Sequence, residues 1–142
     1  MQTPRLSLRL FLLLLKENYM KEHQDKQTIG VWMDHSHAIL ITPSNDDYAV
    51  SDKVKSDEYH GHSGEHASMN ADKAHSRKFY QAISHRLLNY DEIYIFGPGK
   101  SQEELRNFLQ DDQHFKGKRI ALGSADHLTD HQMIAKVRDF FK

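Results

Sequence analysis

The chain contains no cysteine, and this absence removes several kinds of chemistry. Without thiols there is no disulfide framework, no thiolate zinc site and no cysteine nucleophile. Such a composition suits a reducing compartment, and we expect a cytoplasmic protein. The 142 residues also lack an excess of charge of one sign, since the formal net charge is −1. No global positive field draws the chain to nucleic acid, so RNA binding would require a local basic patch.

Long apolar runs are also missing. The longest, Leu10–Leu15, has six residues and follows Arg5 and Arg9. A membrane-spanning helix needs about 20 apolar residues, and a signal peptide needs an apolar core of about 7–15 before its cleavage site. We therefore expect no membrane partner. We interpret residues 1–27 as an N-terminal extension, either a disordered or loosely helical arm or, if translation starts at Met20, partly a segment outside the protein.

Residues 28–142 carry the apolar patterns of one α/β domain. Three β-rich runs separated by short polar turns predict an antiparallel β-meander. A polar stretch then predicts a long loop, which is followed by alternating helices and strands. The predicted elements are strands Thr28–Asp34, Ala38–Thr42 and Tyr48–Val54, loop Ser56–Asn70, helix Ala71–Tyr90, strand Ile93–Phe96, a helix from Ser101, strand Arg119–Gly123 and a helix capped by Thr129 with Gln132. This order predicts a mixed sheet of ribonuclease H-like topology, a meander followed by α-β-α-β-α.

The centre of this pattern is Asp91–Leu109, in which a strand meets a helix through the turn Gly97, Pro98, Gly99. Ser101 and Glu104 have the spacing of a capping box, which predicts the helix start. The turn could hold an anion or a partner loop, or it could serve only as a tight connection. A nucleotide-binding P-loop is excluded, because Tyr94 stands where the motif requires its first glycine.

Eleven histidines are a high number for this length, and three of them, His60, His62 and His66, lie in the predicted loop. Imidazoles at this spacing could converge on zinc, with Glu58 or Glu65 as a further ligand. Histidines in a polar loop are more often solvated, so they are weak metal candidates. We expect no cofactor.

Acidic residues near the strand ends suggest a second kind of site. Asp34 ends the first strand, Asp126 follows the last strand, and Glu58 lies in the loop. Nucleases of ribonuclease H-like fold hold two metal ions with convergent carboxylates, so these three residues define a nuclease alternative. A shared element order does not by itself supply such a site.

The start of the long helix carries a local positive excess in Lys73, Arg77 and Lys78, with Tyr59 and Phe79 nearby. Lysine and arginine on one helix face can contact phosphates, and an exposed aromatic ring can stack on a base. The alternative interpretation is an ordinary solvated helix face.

These segments together resemble the central domain of the archaeal and eukaryotic peptide-chain release factor and Pelota family, and of its small bacterial single-domain relatives. The resemblance depends on IYIFGPGKSQEELRNFL at residues 93–109, in which a strand runs into a Gly-Pro-Gly turn and an acidic helix. It is supported upstream by a β-meander, a polar loop and the basic helix KAHSRKFYQAISHRLL at residues 73–88. The resemblance implies a ribonuclease H-like fold without nuclease function.

One departure from the family decides what the resemblance implies about catalysis. Release factors carry Gly-Gly-Gln in the long loop, whereas residues 60–70 read HGHSGEHASMN here. The loop is similar to that of Pelota, so we expect no catalytic residues and a protein that is not an enzyme. The flanking domains that read codons and recruit partners in the family are outside this chain.

The leading hypothesis is a non-catalytic translation factor of the rescue or hibernation type that associates with the ribosome through rRNA or tRNA. The alternatives are a metal-dependent nuclease or hydrolase and a protein-binding adaptor. Under the leading hypothesis the RNA contacts come from the loop and from exposed cations, namely Tyr59, His60, His62, His66, Lys73, Arg77, Lys78 and Lys100.

Overall fold

The computed structural model describes residues 5–24, 26–56 and 65–142, with side chains described outside residues 5–7, 18–24 and 65–72. Strands and helices alternate after an initial meander, as predicted. The elements are α1 (Arg5–Gln24), β1 (Thr28–Met33), β2 (His37–Ser44), β3 (Asp47–Lys55), α2 (Glu65–Leu87), β4 (Glu92–Gly97), α3 (Ser101–Gln110), a 3-10 turn (Gln113–Phe115), β5 (Arg119–Ser124) and α4 (Asp130–Phe140).

The five strands form one mixed sheet in the order β3-β2-β1-β4-β5. β1, β2 and β3 pair antiparallel, which is the predicted meander. β4 pairs in parallel with β1 on one side, where Ile93 lies beside Ile29, and with β5 on the other. The predicted α/β class and the mixed sheet are confirmed.

Alternation along the strands divides the core into two layers. On one face Ile29, Val31 and Ile95 belong to a cluster that includes Ile83 of α2 and Leu105 of α3. On the other face Trp32, Tyr94 and Phe96 pack with Met133 and Val137 of α4. Successive strand residues point to opposite faces, so an apolar run such as Ile93–Phe96 must be covered on both. β4 is buried along both faces, as its sequence predicts.

The carboxyl ends of β1, β3, β4 and β5 meet at one edge of the sheet, which we call the carboxyl edge. β3 runs parallel to β1, because two antiparallel steps separate them. Backbone hydrogen bonds join the segments that leave this edge. The Ser56 N–H donates to the Ser36 carbonyl at 2.7 Å, and the Ala125 N–H donates to the Gly97 carbonyl at 3.1 Å.

The Gly-Pro-Gly turn at this edge requires its glycines for two reasons. Gly97 has φ 154°, and a Cβ at that position would lie 2.0 Å from the carbonyl oxygen of Met33 on β1. Gly99 has φ 74° with open space around it, so only its backbone conformation favours glycine.

Both ends of α2 differ from the prediction. α2 begins at Glu65 rather than Ala71, so residues 65–70 of the predicted loop are helical. The prediction relied on an apolar stripe, but residues such as Ala67 and Met69 have good helix propensity without one. At the other end α2 stops at Leu87, whose carbonyl accepts from the Tyr90 N–H at 3.1 Å in a closing turn.

One of the two predicted capping boxes is wrong. Lys100 is the N-cap of α3 and makes no side-chain cap hydrogen bond, so Ser101 already lies inside the helix. The box at α4 is confirmed. The Gln132 N–H donates to Thr129 Oγ1 at 3.2 Å, and the Thr129 N–H donates to Gln132 Oε1 at 2.9 Å.

The described leucines of α1, Leu8, Leu10 and Leu12–Leu15, are at least half exposed. In the described part of the chain, no helix has the length and apolar content that a bilayer crossing requires.

Candidate nucleic-acid interface

The predicted cations Lys73, Arg77 and Lys78 are all exposed on α2. Lys73 and Arg77 are four residues apart and lie on one side of the helix. Lys78 lies about 100° further around the helix axis from Arg77. The three charges therefore spread over two sides of α2, with the buried residues Phe79, Ile83 and Leu87 facing the sheet. Among the described residues, none of the three cations has an acidic side chain within ion-pair distance.

Arg86, further along α2, differs from these three cations. Its Nε donates to Asp52 Oδ2 on β3 at 2.6 Å. This hydrogen bond, with that from the Lys53 backbone N–H, lowers the pKa of the Asp52 carboxyl below its ordinary value. Because Arg86 is paired, it fixes α2 to the edge strand and adds little to the free positive charge of the helix.

Arg77 lines a groove of about 710 Å³ between α2 and the end of α3, together with Phe108, Asp111, Asp112, Gln113 and His114. The Asp112 carboxylate accepts hydrogen bonds from the backbone N–H and Nδ1 of His114, at 2.9 and 2.7 Å. The hydrogen bond from the His114 backbone N–H, and to a lesser extent that from its ring, lowers the pKa of the Asp112 carboxyl. The groove therefore has a cation on one wall and carboxylates on the other, so phosphates are better placed on the outer side of α2 than within it.

The aromatic part of the prediction needs a correction. Phe79 is only 4% exposed and belongs to the core beneath α2, so it cannot stack on a base. Its position on the apolar stripe with Ile83 and Leu87 explains the burial. Tyr80 and Phe108 are the partly exposed pair nearby, with ring centroids 5.9 Å apart. The Tyr80 hydroxyl donates to Glu104 Oε2 at 2.5 Å, which holds α2 against α3.

The loop contacts cannot be placed. Tyr59, His60 and His62 lie outside the described residues. His66 falls in the first turn of α2, but its side chain is also outside the described set. Their proposed contacts with RNA, and their weak candidacy for zinc, stay predictions.

Lys100 is exposed at the carboxyl edge, directly after the Gly-Pro-Gly turn. The turn itself is held by protein groups, because the Gly97 carbonyl accepts from the buried side-chain amide of Gln102 at 3.1 Å and from the Ala125 N–H. Glu103 and Glu104 occupy the first turn of α3 and compensate its helix dipole. The geometry favours a tight connection over an anion site.

The acidic residues proposed for a nuclease site are not assembled in the described structure. Asp34 Oδ1 accepts from the backbone N–H groups of Ser36 and His37 at 2.9 and 2.7 Å and so closes the β1–β2 hairpin. Glu58 lies outside the described residues. Over the described ranges, no three histidine, aspartate or glutamate side chains come together as a metal site.

The sequence patterns did not bring together the histidines and cations of one further region. His37, His127, Lys53 and Lys55 border a cleft at the carboxyl edge, on the α4 face of the sheet. These residues are far apart in the sequence, and only the sheet register brings them together. The alternation of Lys53 and Lys55 at the end of the edge strand β3 is the one local signal of this arrangement.

No protein-family model and no curated protein sequence matches the chain. Solved structures do match it. Pelota of Archaeoglobus fulgidus aligns with a TM-score of 0.58 at 10% identity, over 90% of this chain and 37% of that one. Pelota of Thermoplasma acidophilum aligns with a TM-score of 0.52 at 14% identity, over 78% of this chain and 30% of that one. The archaeal translation termination factor aRF1 aligns with a TM-score of 0.54 at 8% identity, over 78% of this chain and 33% of that one.

The resemblance stated from the sequence is therefore confirmed at the level of the fold. Identities of 8–14% do not extend it to activity. The chain spans about a third of the length of the three structures.

Proposed function

We propose that this chain is a non-catalytic translation factor of the rescue or hibernation type that associates with the ribosome through rRNA or tRNA. The observation that carries the proposal is a fold shared with an archaeal translation termination factor and with two Pelota proteins. The exposed cations at the start of α2 add a surface that suits phosphates.

The proposed contacts have two parts. Lys73, Arg77 and Lys78 on α2 and Lys100 at the carboxyl edge contact backbone phosphates, since all four are exposed. The histidines and Tyr59 of the preceding segment, His60, His62 and His66, add contacts to bases or sugars. Local charge has to supply the attraction, because the whole chain has a formal net charge of −1.

Catalysis is not part of the proposal. The segment at residues 60–70 contains no Gly-Gly-Gln, the motif that the resemblance associates with hydrolysis in release factors. The carboxylate of Asp34, the first residue of the nuclease alternative, is already committed to the hairpin.

The experiment is co-pelleting of the purified full chain with ribosomes over a series of salt concentrations. The test variant is Arg77→Glu with Lys78→Glu. The matched control is Arg119→Glu with Lys142→Glu, which changes the same two residue types at exposed positions, 79% and 76% accessible, away from α2. We expect the test variant to weaken ribosome binding by about tenfold or more and the control by much less, since phosphate contacts depend on local charge.

Each other outcome has a definite meaning. Equal weakening by both double variants would show general charge attraction and reject the α2 contact. If the chain instead formed a salt-resistant complex with protein and without RNA, the protein-binding adaptor would be favoured. Metal-stimulated RNA cleavage that is lost in Asp34→Asn would favour the nuclease.

A further inference from the structure

A cleft of about 630 Å³ lies at the carboxyl edge, on the face of the sheet that α4 covers. One wall is formed by the ends of β1, β2 and β3, and the other by the segment that enters α4. α4 packs over Trp32, Tyr94 and Phe96 and begins at Asp130 beside Lys53. The cleft lies at this amino end of α4, between the strand ends and the segment that enters the helix. Its size falls within the range of ordinary ligand sites.

The floor of the cleft is apolar and fixed in place. Trp32 is 4% exposed, and its indole N–H donates to the Asp126 carbonyl at 3.3 Å. The His127 ring lies against it, with centroids 5.5 Å apart. Ile39, Leu128 and Met133 complete the apolar lining. This lining offers apolar surface against which a flat, weakly polar ring could pack.

The rim of the cleft on the β3 side is positive. Lys53 and Lys55 are two residues apart on the edge strand, so both project to the same face about 7 Å apart. Among the described residues, the Asp130 carboxylate pairs with Lys53 at 3.9 Å, near the outer limit of an ion pair, and both side chains are more than half exposed. Such a pair holds the lysine weakly and leaves it available to a phosphate.

Two carboxylates, Asp34 and Asp130, also line the cleft, so its positive charge is confined to the rim on the β3 side. The Asp34 carboxylate is occupied by the backbone N–H groups of Ser36 and His37. His37 and His127 are exposed and add hydrogen-bond donors or acceptors. Lysines on an edge strand also protect it from pairing with other strands, but that role does not explain the apolar slot beside them.

We propose that this cleft takes one nucleobase of a single-stranded RNA, with the base in the apolar slot beside His127 and the flanking phosphates on Lys53 and Lys55. The inference rests on the proposed function in taking RNA as the ligand. It adds a second contact, on the opposite face of the sheet from α2. An apolar base slot with cations along the backbone path is the arrangement by which proteins bind single strands.

The structure contains its own reporter for this contact. Trp32 is the only tryptophan in the chain, so tryptophan emission arises from the cleft floor alone. We would titrate the full chain with a short single-stranded oligoribonucleotide and follow this emission. The expected result is a saturable change, weakened about tenfold by Lys53→Glu with Lys55→Glu. Losing two phosphate contacts should also reduce the slope of log affinity against log salt by about 1.4.

Two further variants separate the cleft from general charge effects. His127→Ala removes an exposed ring from the slot, so it should weaken binding without a large change in the salt slope. The control Arg119→Glu with Lys142→Glu changes the net charge as much as Lys53→Glu with Lys55→Glu does, but at positions outside the cleft. It should leave the affinity for the oligonucleotide nearly unchanged. Equal weakening by both charge variants, or an emission that never responds to the oligonucleotide, would overturn the inference.

The same titration with uridine or adenosine monophosphate tests the source of the nucleotide. Mononucleotide binding as tight as that of the oligonucleotide would assign the cleft to a free nucleotide and overturn the RNA inference. If the chain co-pelleted with ribosomes but Trp32 emission did not change with the oligonucleotide, only the cleft inference would be rejected. If the emission changed but the chain did not co-pellet, the proposed function would be rejected and the cleft inference would stand.

Discussion

Two glycines of the same turn constrain the backbone to different degrees. Replacing Gly97 with alanine would place its Cβ 2.0 Å from the Met33 carbonyl oxygen, so β4 and β1 would have to separate. We expect Gly97→Ala to lower the free energy of unfolding by at least about 3 kcal/mol. Urea denaturation of the purified chain measures this quantity.

Gly99→Ala is the matched control for that prediction. Gly99 also has a positive φ, 74°, but a Cβ there would meet nothing within 4 Å. We expect a loss of only about 1–2 kcal/mol, the cost of the left-handed conformation itself. Equal losses in the two variants would show that the close approach to Met33 is not what requires Gly97.

The contribution of Asp34 to folding stability should depend on pH. Its partial burial opposes the charged form, but the hydrogen bonds from the backbone of Ser36 and His37 outweigh this effect and lower the pKa of the carboxyl. A lowered pKa in the folded state stabilises the fold above the ordinary value, and this stabilisation is lost as the pH falls through the lowered pKa. Asp34→Asn should therefore cost roughly 1 kcal/mol at neutral pH, a cost that fades below about pH 4.

The control for Asp34 is Asp139→Asn, because the Asp139 carboxylate is 70% exposed and its nearest cation, Lys142, is 4.0 Å away. That variant should change stability by less than about 0.5 kcal/mol at any pH. If the Asp34→Asn cost stayed constant from neutral to acid pH, charge would not be what closes the hairpin.

At the scale of elements, the two helix starts at the carboxyl edge make a direct comparison. Thr129 closes a capping box at α4, whereas Ser101 lies one residue inside α3 and caps nothing. We expect Thr129→Ala to lower the free energy of unfolding by about 1 kcal/mol and Ser101→Ala by a few tenths at most. Thermal or urea unfolding of the two variants checks this difference, and a larger effect at Ser101 would contradict the assignment of Lys100 as the N-cap.

Most helices and strands were predictable, because apolar residues recur along them at the spacing typical of each element. Ile93–Phe96 reads as a strand covered on both faces, and the structure buries it on both. The start of α2 was not predictable from an apolar stripe, since residues 65–70 carry none. The α3 cap was misassigned by one residue, because Ser101 and Glu104 have the spacing of a capping box without its hydrogen bonds.

The candidate site was predictable only in part. Lys73, Arg77 and Lys78 lie within six residues of a basic helix, so their exposure follows from local sequence. Phe79 was misjudged as a stacking residue, because one aromatic within a charged run can still face the core. The cleft at Trp32 depends on the register of β1, β2 and β3 and on the approach of α4, which no local pattern encodes.

At the scale of the whole molecule, the sheet separates the two surfaces that we propose to contact RNA. α2 and its cations lie on one face, and the cleft with Lys53 and Lys55 lies on the other. Lys100 stands at the carboxyl edge, from which β3 leads into the segment with His60 and His62. A strand of RNA that passes over this edge could contact both faces, which is how a chain with no net positive charge could still bind RNA locally.

The central claim is association with the ribosome, and sedimentation of cell extracts on sucrose gradients tests it most directly. Extracts from growing and from starved cells would be compared at low and high salt. The account predicts that the chain migrates with ribosomal fractions, more in starved cells if its role is hibernation, and that high salt releases it because phosphate contacts dominate. A chain that stays at the top of the gradient in every condition would contradict the account and leave only a shared fold.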